Sequence, residues 1–462
     1  MILKNGTIYS NGKLRKANIL IHENKIKTII FEIHSKENNI FKKQNLDGIE
    51  INCENKVILP GIIDIHSHLR DMGQKNKETF RTATKAAAFS GITTVFNMPN
   101  TIPPAIDSKQ VEKWINQALN NIFIDVGFIA GIPRDFNIDE IKKIINLGVI
   151  GFKIYPHNPI SNIDWLKKEN LKKILNLSSE FNKTIFIHPE CPLSDKEKQK
   201  IIEDFSIHNN DYLDLHDKLK SVKTEVNYVK FVLAEYEKFI CENNVNDDLY
   251  PIIHFCHISC KESYLLIQDI LNKNKTFKIS YEVSPHHLLL SKKLDINNVN
   301  FAKVDPPLRN EENSKFLFNE LREGRINLIG SDHAPHSLEE KSLEFLKAPS
   351  GFPEFETFPL ILLSKVFKNE LPLEYFVQAT SETPSLLFNL SEKGFIREGY
   401  DADLILIEKV NDYFIKPKNF ISKAKYSPYE NIISSVKIWK VFLRGKEINI
   451  ENSLPSGKII RI

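Results

Sequence analysis

The chain is predicted to fold as an α/β protein, a (β/α)8 barrel of the TIM type carrying a small β-sandwich domain built from both of its ends. Three observations predict this class. Strand-like and helical stretches alternate through the middle of the 462 residues, with eight candidate strands, the number such a barrel needs. Short strand-like runs separated by turn signals fill the two ends. Histidine, lysine and aspartate recur at the ends of the candidate barrel strands, which is where a barrel places its chemistry. The expected division is residues 1–58 plus 395–462 for the small domain and 59–394 for the barrel. An open, doubly wound sheet is the alternative, but no glycine-rich dinucleotide turn follows the first barrel strand.

At the start, Asn5-Gly6, Asn11-Gly12 and Asp47-Gly48 punctuate the runs Thr7-Ile8-Tyr9, Asn18-Ile19-Leu20-Ile21 and Lys27-Thr28-Ile29-Ile30-Phe31. The barrel strands are expected to end at 64–68, Phe96-Asn97-Met98, Gly127-Phe128-Ile129, Phe152-Lys153-Ile154-Tyr155, Phe186-Ile187-His188, Cys256-His257-Ile258, Tyr281-Glu282-Val283 and Ile329-Gly330-Ser331-Asp332. Helical stretches such as 78–89 and 222–240 fall between them, and Gly91 supplies a C-cap for the first. The charged, weakly periodic segment 191–222 reads as an excursion on the active-site side or as a surface insertion. Strand-like runs return at Asp403-Leu404-Ile405-Leu406-Ile407 and around Val436-Lys437-Ile438-Trp439, with a turn at Arg444-Gly445-Lys446.

Composition narrows the function classes. Hydrophobic content of 42% and charged content of 26% suit a soluble protein with a sizeable core. A net charge of +3 leaves no basic footprint for nucleic acid. The five cysteines are odd in number and form no CxxC, so no disulfide framework is expected and a reducing, cytoplasmic setting is. The opening residues lack a signal-peptide core, and no run approaches ~18 apolar residues, so no membrane partner is expected.

The densest chemistry lies in Asp64-Ile65-His66-Ser67-His68-Leu69-Arg70. Residues i and i+2 of a strand share a face, so His66 and His68 present two imidazoles to one point, as metal binding requires. Arg70 follows with a planar fork suited to a carboxylate. His188, His257 and Asp332 stand at the ends of other candidate strands. Lys153 sits in the apolar run Val149-Ile150-Gly151-Phe152-Lys153-Ile154-Tyr155, which argues for a buried strand position. A buried, neutral amine can add carbon dioxide, and the resulting carbamate can bridge two metal ions. His254 is expected to face away from His257, and His286 and His287 to be structural. His22, His34, His157, His208 and His216 have no ligand-spaced partner.

These residues resemble the amidohydrolase superfamily and, within it, the dihydroorotases. The resemblance covers essentially the whole chain. It is most specific at 64–70, Asn97-Met98-Pro99-Asn100-Thr101, Ser284-Pro285-His286-His287, Asp332-His333-Ala334-Pro335-His336 and Ala348-Pro349-Ser350-Gly351-Phe352. It implies a binuclear site with His66, His68, carbamylated Lys153 and Asp332 on one metal. His188 and His257, with the same bridging carbamate, would hold the other. Zinc is the expected ion. It also implies Arg70, Asn100 and His336 as binders of a substrate carboxylate, with backbone groups of 349–352 near the ring. Asp332 is implied as the general base in reversible hydrolysis of dihydroorotate to N-carbamoyl-aspartate, a step of pyrimidine synthesis. A hydantoinase, dihydropyrimidinase or allantoinase would share the metal set, and a non-catalytic scaffold would have lost part of it. Partners are expected to be a small-molecule substrate and a second copy of the chain in a homo-oligomer such as a dimer; an aspartate transcarbamoylase partner stays open. The chain departs from the family pattern at Asp71-Met72-Gly73-Gln74, where Glu-Pro-Gly is common, and at Pro189, where alanine is usual. It departs again at Asp305, where an asparagine that helps read the ring is common.

Overall fold

The computed structural model describes residues 1–31, 49–208, 211–243, 246–429, 432–449 and 451–462. His34, the Asp47-Gly48 turn and the side chain of His208 lie outside the described residues. The chain opens with β1 (Ile2–Ser10), β2 (Lys13–His22), β3 (Lys25–Phe31), β4 (Glu50–Asn52) and β5 (Lys56–Pro60). Asn11 and Gly12 join β1 to β2 with φ of 50° and 75°, the positive pair an Asn-Gly hairpin turn favours. Asn5-Gly6, expected as a turn, instead lies at a shift of register inside β1. Asn5 takes φ of 61° there, so an Asn-Gly pair has made a bulge and the strand continues.

Gly61 passes the chain into the barrel. Its strands are β6 (Ile62–Ser67), β7 (Ile92–Asn97), β8 (Asp125–Gly131), β9 (Gly151–Ile154), β10 (Thr184–Ile187), β11 (Ile253–Phe255) and β12 (Ile279–Tyr281), parallel and adjacent in chain order. They are buried almost throughout, as strands sandwiched between outer helices and a filled interior must be. The eighth position is held by residues 329–333 through isolated parallel bridges, Val283 to Ile329 and Ser67 to His333. The Asp332 amide also donates to the His66 carbonyl at 2.9 Å, so the ring closes beside the histidine pair.

The outer helices that bear on the site are α1 (Phe80–Phe89), α2 (Ser108–Ala118), α3 (Ile138–Asn146), α4 (Lys168–Phe181), α5 (Asp195–His208), α6 (Tyr212–Leu219), α7 (Val222–Asn243) and α8 (Lys261–Lys273). Local sequence sets α1: Thr79 caps it in a reciprocal box with Thr82, worth about 1 kcal/mol. Phe80, Ala83, Ala86 and Ala87 form its buried stripe, and Gly91, at φ 87°, takes the left-handed turn that follows it. The 191–222 segment folds as α5 and α6 and follows β10, which sets it at the carboxyl end of the barrel.

Ile63, Ile65, Phe96, Ile129 and Phe186 fill the barrel interior with Phe388. A shift of register in β6 lies between Asp64 and Ser67. It lets Ile65 face this apolar interior while His66 and His68 also turn inward above it.

After the barrel come β13 (Leu404–Phe414), β14 (Ile433–Leu443), β15 (Lys446–Glu447) and β16 (Ile459–Ile460). The domain expected from both ends is present as one continuous mixed sheet, in the order β15-β14-β13-β5-β1-β2-β3 with β4 beside β1. Leu3, Ile8, Ile19, Ile58, Leu404 and Phe442 share its core. β16 leaves this sheet and pairs in parallel with β8. Asp125, at the start of β8, ties the two parts together through Lys393 at 2.8 Å and Arg444 at 2.6 Å. Among the described residues no helix is long and apolar enough to cross a membrane, and all five cysteines are free thiols.

Candidate active site

A cavity of about 300 Å³ opens at the carboxyl ends of the barrel strands. It is lined by His66, His68, Arg70, Asn100, His188, His257, Asp332 and His336, eight of the nine residues singled out above. The ninth, Lys153 on β9, is 1% exposed and lies beside the lining.

His66 and His68 converge on Asp332. Asp332 Oδ1 is 3.1 Å from His68 Nε2 and 3.5 Å from His66 Nε2. The far nitrogen of each ring is already engaged. His68 Nδ1 donates to Asn100 Oδ1 at 2.6 Å, and His66 Nδ1 donates to Glu282 Oε1. Each ring therefore turns its Nε2 toward the aspartate, the orientation a metal ligand needs. Burial and electrostatics act differently on the two rings. Burial outweighs the pull of Asp332 at His68 and brings it down to about 4. At His66 the Glu282 charge overcomes burial and pushes the ring up to about 10. Asp332 is held well below the usual carboxylate range, because His66 and His68 outweigh its burial.

His188 and His257 form the other half. His188 Nδ1 and His257 Nε2 are 3.2 Å apart, and His188 Nε2 lies 2.8 Å from Glu190 Oε2. Burial first, and then neighbouring positive charge that includes Lys153, hold both rings well below the usual imidazole range. The His66 and His257 ring centres are 5.1 Å apart, so the two halves adjoin.

Backbone strain accompanies this convergence. His257, Asp332 and Arg70 have φ of 33°, 51° and 58°, values that non-glycine residues rarely adopt. At His257 the left-handed turn breaks the strand's alternation. His254 and Cys256 both face the barrel interior, and His257 still reaches the cavity. His254 therefore does not face away, as expected above; it packs on Phe186 and lies 3.1 Å from Glu282 Oε2.

The donor set fits divalent cations. His66, His68 and Asp332 offer ligand atoms all within 4.8 Å of one another, a buried group consistent with a metal site. Lys153 Nζ and His257 Nδ1 are buried with no hydrogen-bond partner among the described residues. Orphaned polar atoms of this kind are costly unless something else satisfies them. A second group, His66 with Cys256 and Glu282, meets the same distance test, but Glu282 there is already bonded to two imidazoles.

Arg70 also lines the cavity and is 5% exposed. Its Nε donates to the Pro335 carbonyl at 3.1 Å, and Nη2 lies 3.1 Å from His336 Nε2. No carboxylate among the described residues forms an ion pair with it, which removes the reading of Arg70 as a rim salt bridge.

Comparison with known proteins bears on this arrangement. The model of the amidohydrolase family matches residues 57–448. The chain belongs to the amidohydrolase family. It is dihydroorotase-like within it. It is 32% identical over 459 residues to the dihydroorotase of Methanosarcina acetivorans, covering 98% of this chain and 92% of that protein. It is 33% identical over 408 residues to the dihydroorotase of Pyrococcus horikoshii, covering 87% and 83%. In fold it resembles the L-hydantoinase (dihydropyrimidinase) of Arthrobacter aurescens, with a TM-score of 0.86, 23% identity, and 100% and 99% of the two chains covered. The D-hydantoinase (dihydropyrimidinase) of a Thermus species matches with a TM-score of 0.84 and 23% identity, covering 100% and 98%.

Several residues of this amidohydrolase site escaped sequence reasoning. Glu282 gives its carboxylate to His66 and His254 and also accepts from the His257 amide at 3.2 Å. Lys77 reaches His336 Nδ1 at 3.2 Å and Glu340 at 2.8 Å. His157 lines the cavity and packs against His188, tilted, with ring centres 4.4 Å apart, and His216 stands 3.0 Å from Asp305. Both had no ligand-spaced partner in sequence, because their partners lie on other elements. His286 and His287 are structural, as expected: they contact Glu354 at 3.1 Å and the Pro306 carbonyl at 3.1 Å. In the 349–352 segment, Pro349 and Ser350 carbonyls accept from Lys341 and His336, and the Gly351 amide donates to Lys303. That segment braces His336 in this structure.

Proposed function

We propose that this protein is a dihydroorotase, which reversibly hydrolyses the cyclic amide of dihydroorotate to N-carbamoyl-aspartate. The observation that carries the reading is Arg70, a buried guanidinium on the cavity wall with no acid partner among the described residues. A buried unpaired cation is costly, and a substrate carboxylate is the partner that would relieve it. Neutral rings such as dihydrouracil offer no such group.

Ring opening needs a positioned carbonyl, an activated water and a proton for the departing nitrogen. Arg70, the amide nitrogen of Asn100, and His336 bind the carboxylate and so orient the ring. Lys77 and Glu340 hold the His336 ring at its Nδ1. His66, His68, Asp332 and Lys153 as its carbamate are the residues that would hold one cation. His188 and His257, with the same carbamate, would hold the second. Two divalent cations, zinc being the expected ion, would supply an acidified water and Lewis-acid polarisation of the carbonyl. Asp332 takes the proton of the attacking water and returns it to the ring nitrogen. Its carboxylate is kept ionised by the two histidines beside it. Glu282 and Glu190 fix which nitrogen of His66 and of His188 carries the proton.

The test is to assay the purified, metal-loaded protein on dihydroorotate in both directions, and on dihydrouracil and allantoin. The proposal expects turnover of dihydroorotate well above the other two. Faster hydrolysis of either neutral ring would reject it in favour of another cyclic amidohydrolase.

A further inference from the structure

Asp305 is an acid on the wall of a cavity that we read as binding an anion. Its Oδ2 lies 2.8 Å from Lys220 Nζ. Its Oδ1 lies 3.0 Å from His216 Nε2, but that imidazole N–H donates to the Val304 carbonyl at 2.9 Å. Oδ1 is buried and receives no hydrogen bond among the described residues. Lys220 does not line the cavity; it stands behind Asp305, at the C-cap of α6, with its side chain three-quarters buried. Lys220 and His216 outweigh burial and hold the Asp305 carboxyl well below the usual range, so the pair is ionic.

This end of α6 is fixed to the 305–309 segment. Arg309 donates to the Lys220 carbonyl and to Asp217 Oδ1 at 2.8 Å. Lys292 adds contacts of 2.7 Å to both Asp214 and Asp217. The carboxyl end of the excursion is therefore held against the segment that carries Asp305, behind the cavity lining.

We propose that Lys220 is a positioning residue that determines substrate specificity. Its ammonium cancels the charge of Asp305 and pins Oδ2, so that a cyclic amide that also carries a carboxylate can seat against this wall. Without Lys220, the Asp305 charge would repel the anion seated at Arg70. With it, the Asp305–Lys220 pair leaves the wall with no net charge at this point. The inference rests on the dihydroorotase reading above.

The experiment compares wild type, Lys220→Met, Lys220→Arg, Asp305→Asn and the Lys220→Met/Asp305→Asn double variant, all metal-loaded and checked for melting temperature and metal content. Steady-state kinetics on dihydroorotate are paired with calorimetric binding of orotate, a non-hydrolysed ring anion. Lys220→Met should raise KM and weaken orotate binding about tenfold or more, with kcat within about twofold of wild type. Lys220→Arg should stay near wild type, and Asp305→Asn in the Lys220→Met background should recover most of the lost affinity. If Lys220→Met binds orotate like wild type, or the double variant is no better than Lys220→Met alone, the inference is overturned. Should Lys220→Met not fold, a Lys220→Arg variant that has lost affinity overturns it, and one that keeps it supports it. A wild type that neither turns over dihydroorotate nor binds orotate defeats the dihydroorotase reading itself, and this inference with it.

Discussion

Arg70→Met isolates the interaction on which the substrate assignment depends. In the structure the guanidinium spends Nε on the Pro335 carbonyl, directs Nη2 to His336, and has no ion-pair partner among the described residues. A bound carboxylate would therefore gain one or two new charge-assisted hydrogen bonds from it, each worth about 1.5–3 kcal/mol. Because the site is buried, solvent screening subtracts little, and a net loss of about 2–4 kcal/mol follows on substitution. That corresponds to a fall in kcat/KM of roughly thirty- to a thousandfold. The loss should appear mainly in KM, since the carboxylate is held alike in ground and transition states. Stability should change little. Met fills similar volume and removes an uncompensated buried cation, while the Pro335 carbonyl loses a donor at a cost of about 1 kcal/mol. The assay is initial-rate kinetics on dihydroorotate, with dihydrouracil as the neutral control and melting temperature and metal content measured in parallel. Unchanged kcat/KM for dihydroorotate, or an equal fall for the neutral ring, would refute the reasoning.

Asp332→Asn should lower turnover by at least about a thousandfold, since it removes the group that carries the proton; activity near wild type in a metal-replete preparation would reassign the base. Glu282→Gln should loosen the His66 ring and weaken metal affinity about ten- to a hundredfold, read by competition with a chromogenic chelator. An unaltered chelator titration would confine Glu282 to packing. Glu356 accepts from the Ile421 and Ser422 amides, and its burial pushes its carboxyl up from 4.5 to about 7. The folded protein keeps a proton that the unfolded chain releases, so this contribution is complete below pH 4.5 and is lost as pH rises to about 7. The loss amounts to about 3 kcal/mol, and Glu356→Gln should gain melting temperature relative to wild type across that window. Parallel pH profiles for the two proteins would remove Glu356 as the cause.

What could be read from the sequence follows from local rules. The His66 and His68 pair is legible because strand alternation is local, and Lys153 is legible because a cation inside an apolar run is locally anomalous. The sheet joining both ends follows from short punctuated runs, although alternation alone does not say whether they make one sheet or two. Local rules fail where the backbone leaves the regular strand. The left-handed turn at His257 brings that residue to the cavity while His254 and Cys256 hold the inward register, and the bulge in β6 lets Ile65 share the interior with His66 and His68. The eighth strand was expected at 329–332 and exists as isolated bridges, with Gly330 and the Asp332 turn interrupting regular pairing. Lys220 with Asp305, and Glu282 with His66, are pairs separated by long stretches of chain, and only the closed barrel brings them together.

The sheet shared by both ends also constrains the order of events during synthesis. β5 finds its antiparallel neighbour in β13, roughly 340 residues later. At ordinary translation speeds that interval lasts on the order of tens of seconds. Throughout it, Ile58 and Leu3 lack Leu404 and Phe442 as packing neighbours, and the open edge of β5 is a template for any passing strand. The nascent chain therefore spends most of its emergence with a sticky, half-built surface, and a chaperone that shields the β1–β5 unit would act on this protein long before the residues around Asp332 emerge to complete the cavity.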